Sequence, residues 1–159
     1  MRTRMAGVLA GVGAVVLLAV LVLFVACSRN DNGNPARASA VPASWARPIV
    51  ARSDLGDRSG VEITRVAVTG DGGLVDLRFK VVDPDKANAV HDERTPPAVV
   101  DENSGLVVHQ LLMNHAHSGA FKAGVTYYLV FENPGNWVRR GGKVTVLLGD
   151  AQVEHVRVS

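Results

Sequence analysis

Val61-Glu-Ile-Thr-Arg-Val-Ala-Val-Thr69, Gly70-Asp-Gly-Gly73 and Leu74-Val-Asp-Leu-Arg-Phe-Lys-Val-Val82 follow one another without interruption, and their reading decides the fold. The first segment is rich in β-branched residues, and the glycine-rich tetrapeptide after it is a strong turn signal. Leu74–Val82 then alternates. Val75, Leu77, Phe79 and Val81 share one face, and Asp76, Arg78 and Lys80 share the other. A period of two with one apolar face is the pattern of a half-buried antiparallel strand, so the two segments predict a hairpin.

The same period runs outward to the C-terminus. Asp83-Pro84-Asp85 ends the hairpin, and Lys86–Thr95 reads as a polar loop with a short helical turn. Pro96-Pro97 leads into a short strand at Ala98–Asp101, and Glu102-Asn103-Ser104-Gly105 turns the chain into a strand at Leu106–Met113. Val125–Glu132 directs Val125, Tyr127, Leu129 and Phe131 inward and Thr126, Tyr128 and Glu132 outward. Asn133-Pro134-Gly135-Asn136 breaks that strand by turn chemistry. Lys143–Leu148 and Gln152–Val158 form a last hairpin around Gly149-Asp150. About seven short strands in roughly 100 residues predict an all-β domain over residues 61–159, an immunoglobulin-like antiparallel β-sandwich or a related one.

The chain before residue 61 is of a different kind. Residues 28–60 are small and polar, broken by Pro42, Pro48 and Gly56, and read as a flexible tether; Trp45 and Ile49-Val50 are its large apolar groups. Arg2 and Arg4 precede an apolar run from Met5 to Ala26 that stops at Cys27, the single cysteine. A basic start, a long apolar core and a small residue compose an export signal. Leu23-Phe24-Val25-Ala26-Cys27-Ser28 resembles the lipobox of bacterial lipoproteins, with Phe24 where Leu is usual. The resemblance implies cleavage before Cys27 and a diacylglycerol on its thiol. The alternative is a retained anchor, since a helix of that length at 1.5 Å per residue spans a ~30 Å hydrocarbon core. Either way Arg2 and Arg4 hold the N-terminus in the cytoplasm and place the domain on the extracytoplasmic side, in the periplasm or at the cell surface.

Charge and cysteine content narrow the function. The net charge of +2 conceals an asymmetry. Residues 1–60 hold seven Arg against three acidic residues, whereas residues 61–159 hold ten basic and twelve acidic residues. A nearly neutral domain without a basic stripe argues against nucleic-acid binding. With one cysteine, no intramolecular disulfide can staple the fold.

Three segments carry a wider resemblance: Val82–Ala87, Gly124–Gly135 and Gly141–Asp150. They are similar to segments of an exported bacterial lipoprotein-like family. The resemblance implies a shared fold and no established activity.

One stretch has chemistry-bearing residues, Val108-His-Gln-Leu-Leu-Met-Asn-His-Ala-His-Ser-Gly119. In an extended strand His109, Met113, His115 and His117 point to one side. Cα atoms two residues apart lie about 6.5–7 Å from each other, so the imidazoles of His115 and His117 can reach one ion. A thioether beside imidazoles suits copper. His91 offers a further ligand, and Asp92 and Glu93 offer acceptors to orient a ligating ring. The plainer reading makes these histidines solvated loop residues and Met113 a core residue. His155, alternating with Val153, reads as a strand residue.

No Gly-x-Ser-x-Gly elbow, His-Glu-x-x-His helix or phosphate-cradling loop is present, and Asp71, Asp83 and Asp85 match no EF-hand spacing. The expectation is a protein that is not an enzyme. The leading function is a membrane-anchored interaction or structural module of the cell envelope, and the alternative is a copper-binding accessory protein. For the first, Trp137 with Arg139 and Arg140 is the candidate contact for another envelope protein, since Trp and Arg dominate interface energetics. The competing role for Trp137 is a plug closing one end of the core.

Overall fold

The computed structural model describes residues 41–112 and 119–159. Cys27 and its apolar run, residues 28–40 of the expected tether, and Met113, His115 and His117 lie outside the described residues. Among the described residues, no helix is long and apolar enough to cross a membrane.

Two antiparallel sheets make up the domain. β1 (Val61–Thr69), β2 (Leu74–Val81) and β5 (Thr126–Glu132) form one, in the order β1-β2-β5. β3 (Ala98–Asp101), β4 (Val107–Val108), β6 (Lys143–Leu148) and β7 (Ala151–Arg157) form the other, in the order β4-β3-β6-β7. The expected first hairpin is present, with Val61 opposite Val81 and Thr69 opposite Leu74. Val75, Leu77, Phe79 and Val81 are all buried, and they join Phe131, Val144, Val146 and Leu148 in a single hydrophobic core. The opposite face of β2 is polar, yet Asp76 is buried there. It lies in the central strand of its sheet, and Arg78 covers it with a 2.9 Å hydrogen bond from Nε.

Three expectations need correction. Residues 41–60 are not a free tether. The segment Leu55–Ser59 is a short helix whose Leu55 and Ser59 are fully buried, and the Gly60 carbonyl accepts from the Val82 and Asp83 amides at 2.8 and 3.1 Å. Ser59 Oγ donates to Asp150 at 2.6 Å, and the Arg58 guanidinium pairs with the same carboxylate at 3.1 Å. Gly149, at φ +62°, makes this docking possible, because a Cβ there would lie 2.9 Å from that of Ser59. Upstream, Val50 N donates to Gln152 O and Gln152 N to Pro48 O, both at 3.0 Å. The 48–50 segment thus covers part of the β7 edge.

The second correction concerns Leu106–Met113, which is not one strand through its described residues. β4 ends at Val108, and the chain changes sheets at His109. Beyond it Glu132 N donates to Gln110 O at 2.8 Å and Leu112 N to Val130 O at 2.9 Å, so residues 110–112 run along β5. The shared face proposed for His109 and the later residues required unbroken extension through this point. Third, Val125 is exposed rather than inward, since β5 begins one residue later.

Candidate functional site

The β1–β2 turn, the β3–β4 hairpin and the β5–β6 connection gather at one end of the sandwich, and Asn133 holds that end together. Its side chain is buried with every bonding group in use. Nδ2 donates to Gly72 O at 2.7 Å and to Val138 O at 2.9 Å, and Oδ1 accepts from Val138 N at 3.0 Å. The backbone adds Asn133 N to Gly73 O at 2.8 Å and Asn136 N to Asn133 O at 3.1 Å. Residues 133–138 are therefore a closed ring anchored to the neighbouring turn.

That ring presents Trp137. Val138 is fully buried and pinned by Asn133, so the adjacent indole emerges from the ring with 37% of its surface exposed. Gly135, at φ +64°, lies beneath it; a Cβ there would sit 3.0 Å from the indole Nε1. Trp137 is thus held at the surface and does not plug the core. The next residues form a tight turn closed by Gly142 N donating to Arg139 O at 3.0 Å. Arg139 and Arg140 project from it, both exposed, and Arg139 Nε reaches Asn136 O at 3.4 Å. Among the described residues neither guanidinium forms an ion pair.

Trp137, Arg139 and Arg140 line one groove of about 450 Å³. Its other wall is the β3–β4 hairpin, with Asp101, Asn103, Ser104 and Leu106. Asp101 stiffens that wall. Its buried carboxylate accepts from Ser104 N at 2.8 Å and Ser104 Oγ at 2.6 Å, satisfying the turn. Both walls are therefore held by hydrogen bonds, and the groove is lined by the cations Arg139 and Arg140 and by the carboxylate of Asp101, which Ser104 satisfies.

From the β3–β4 turn, the Glu102 carboxylate ties β6 to β7. Its Oε1 accepts from Thr145 Oγ1 at 3.1 Å and from His155 N at 2.6 Å, and Oε2 contacts His155 Nδ1 at 2.9 Å. His155 occupies the left-handed region at φ +59°, in a bulge where residues 154–155 face Thr145 alone. Partial burial opposes ionisation of Glu102. The hydrogen bonds from the His155 amide and ring and from Thr145 outweigh it, holding the carboxyl below its usual range.

The described candidates for metal binding have different aromatic partners. His91 stacks on Phe121 at 4.4 Å, whereas His109 meets Trp45 edge-on at 5.1 Å. Among the described residues there is no group of three or more His, Cys, Asp or Glu able to hold a metal ion. The partner-binding trio is thus brought together, while the metal set has only His91 and His109 within the described residues. The sequence pattern marks Asn133 and Glu102 as turn residues alone; their long-range hydrogen bonds have no local signal.

No family model, curated protein or solved structure matches the chain. The groove is read from its own chemistry.

Proposed function

We propose that this chain is an exported, membrane-anchored module of the cell envelope, non-catalytic, that docks a partner protein at the Trp137 groove. The observation that carries the reading is an exposed indole on a hydrogen-bonded ring, flanked by two guanidiniums that form no ion pair among the described residues. A large flat anchor held in place loses little entropy on binding, and Trp with Arg is the pairing enriched at interface hot spots. The charge defines the partner: an acidic surface or loop whose carboxylates meet Arg139 and Arg140 around an apolar contact to Trp137.

The finer fold assignment supports a recognition role. The sheet orders β1-β2-β5 and β4-β3-β6-β7, with residues 110–112 alongside β5, support reading the sandwich as immunoglobulin-like. In that arrangement loops gather at the two ends of the sandwich, where the groove lies. We assign the anchoring to lipidated Cys27 or to the apolar run before it.

A photo-cross-linking residue at Asn103, on the wall facing Trp137, tests the proposal in full-length protein in its native membrane. One discrete adduct is expected, reduced by about tenfold in a Trp137→Ala background. The same probe at Tyr128, on the outer face of β5, is expected to give none. Equal adducts at both positions, or no effect of Trp137→Ala, would refute the docking site.

A further inference from the structure

Four strands lie at the edges of the two sheets, β1 and β5 in one and β4 and β7 in the other. Three of these edges are met by other parts of the chain. Along β1, Val68 N donates to Ser159 O at 3.1 Å and Ser159 N to Val66 O at 3.0 Å. Residues 110–112 run along β5, and the 48–50 segment lies on β7 through Gln152. β4 has no such cover among the described residues. Its main chain also points outward. Asp101 N donates to Leu106 O at 2.9 Å, which makes 101 and 106 a hydrogen-bonded pair. Bonded and non-bonded pairs alternate along an antiparallel ladder, so Val99 with Val108 is bonded and Val100 with Val107 is not. The N–H and C=O of Val107 therefore face away from β3, and neither has a hydrogen-bond partner among the described residues. Native edges are commonly guarded by Lys or by proline, and Leu106-Val107-Val108-His109 carries neither.

The bare edge adjoins the Trp137 groove, since Leu106, the residue before Val107, lines that groove with Asn103 and Ser104. We infer that the partner enters as an extended acidic segment that adds a strand to β4, its main chain bonded to the N–H and C=O of Val107. The inference rests on docking at the Trp137 groove and specifies its mode. β4 has two residues, so main-chain pairing supplies few bonds and selectivity falls to the side chains. Trp137 offers the apolar contact, and Arg139 and Arg140 receive carboxylates; Asp101, the acid of the lining, already accepts twice from Ser104. A strand can join β4 without breaking a native bond. At β1, β5 or β7 it would first have to displace Ser159, residues 110–112 or the 48–50 segment.

Val107→Pro tests the inference in the full-length protein that carries the Asn103 cross-linker in its native membrane. Proline removes the outward N–H and costs no bond to β3, whereas Val107→Thr keeps the N–H beside a side chain of similar shape. Proline is expected to reduce the Trp137-dependent adduct by about fivefold, the worth of one hydrogen bond, and threonine to leave it unchanged. Hydrogen exchange on the purified adduct gives a second readout that needs no variant to fold. The Val107 amide is expected to exchange about tenfold or more slowly in the adduct than in the free protein. Unchanged exchange at Val107, or a folded Val107→Pro that still forms the full Trp137-dependent adduct, would overturn strand addition and leave groove docking standing. A loss in Val107→Thr as large as in Val107→Pro would assign the effect to the side chain and overturn it as well. Absence of any Trp137-dependent adduct would refute the docking itself, and strand addition with it.

Discussion

Two segments of this domain place arginine close to tryptophan and treat their polar groups in opposite ways. In the 133–142 connection the buried polar group, the Asn133 amide, is fully partnered, and the cations Arg139 and Arg140 remain in solvent. In the 43–48 segment the cation itself is inside, and Arg47 keeps two nitrogens without acceptors. Burial alone does not make a polar side chain a structural element; its partners do. A satisfied amide fixes a loop, whereas an unsatisfied guanidinium leaves the domain with an unmet need. The first segment leaves its cations in solvent, and the second encloses its cation.

The sharpest way to break this comparison is to remove the Asn133 amide. In Asn133→Ala the Gly72 and Val138 carbonyls and the Val138 amide lose their partner, and Val138 is fully buried. Orphaned buried groups cost about 1–3 kcal/mol each, with partial relief from entering water, so a total loss of about 3 kcal/mol is expected in urea denaturation. Trp137 emission should shift to the red as the ring loosens. A loss below about 1 kcal/mol would mean that the ring closes without its clamp.

A smaller effect is expected at Glu102, where a partnered group is charged. Its folded-state pKa lies below the usual value of about 4.3, so its contribution is complete above that value and is lost as pH falls through the depressed folded one. Glu102→Gln should therefore cost about 1 kcal/mol at neutral pH, and the gap from the unsubstituted protein should close below about pH 4. Urea midpoints measured from pH 7 to pH 3 give the curve. A gap that does not change with pH would show that the clamp works through shape and not through ionisation.

The hairpins were legible because their information is local. Alternating Val75, Leu77, Phe79 and Val81 beside a glycine turn needs no distant partner to be read. The described part of the supposed tether was misread for the converse reason. Residues 55–60 hold their place through Val82, Asp83 and Asp150, which no local pattern announces. The split of Leu106–Met113 was hidden likewise, since Gln110 and Leu112 follow their apolar neighbours until β5 offers them an edge. At the site, Trp137, Arg139 and Arg140 stood out between Asn-Pro-Gly and Gly-Gly breakers. The Asn133 ring and the Glu102 clamp did not, because Gly72 is 61 residues from Asn133 and His155 is 53 from Glu102.

The smallest expected effect concerns the solvated half of the comparison. Arg139→Ala and Arg140→Ala should each change stability by less than about 0.5 kcal/mol, because neither guanidinium forms an ion pair among the described residues and both are exposed. The contrast with Asn133, in the same connection, is the point: ring and cations have separate tasks. If the cations serve recognition, their loss should appear in partner capture at Asn103 and should depend on salt. At low ionic strength the double variant should lose most of the adduct, and the unsubstituted protein should approach it as salt rises toward 1 M, where the screening length is about 3 Å. A stability loss above about 1 kcal/mol would instead make the arginines part of the scaffold, and adduct formation indifferent to salt would leave the indole to bind by apolar contact alone.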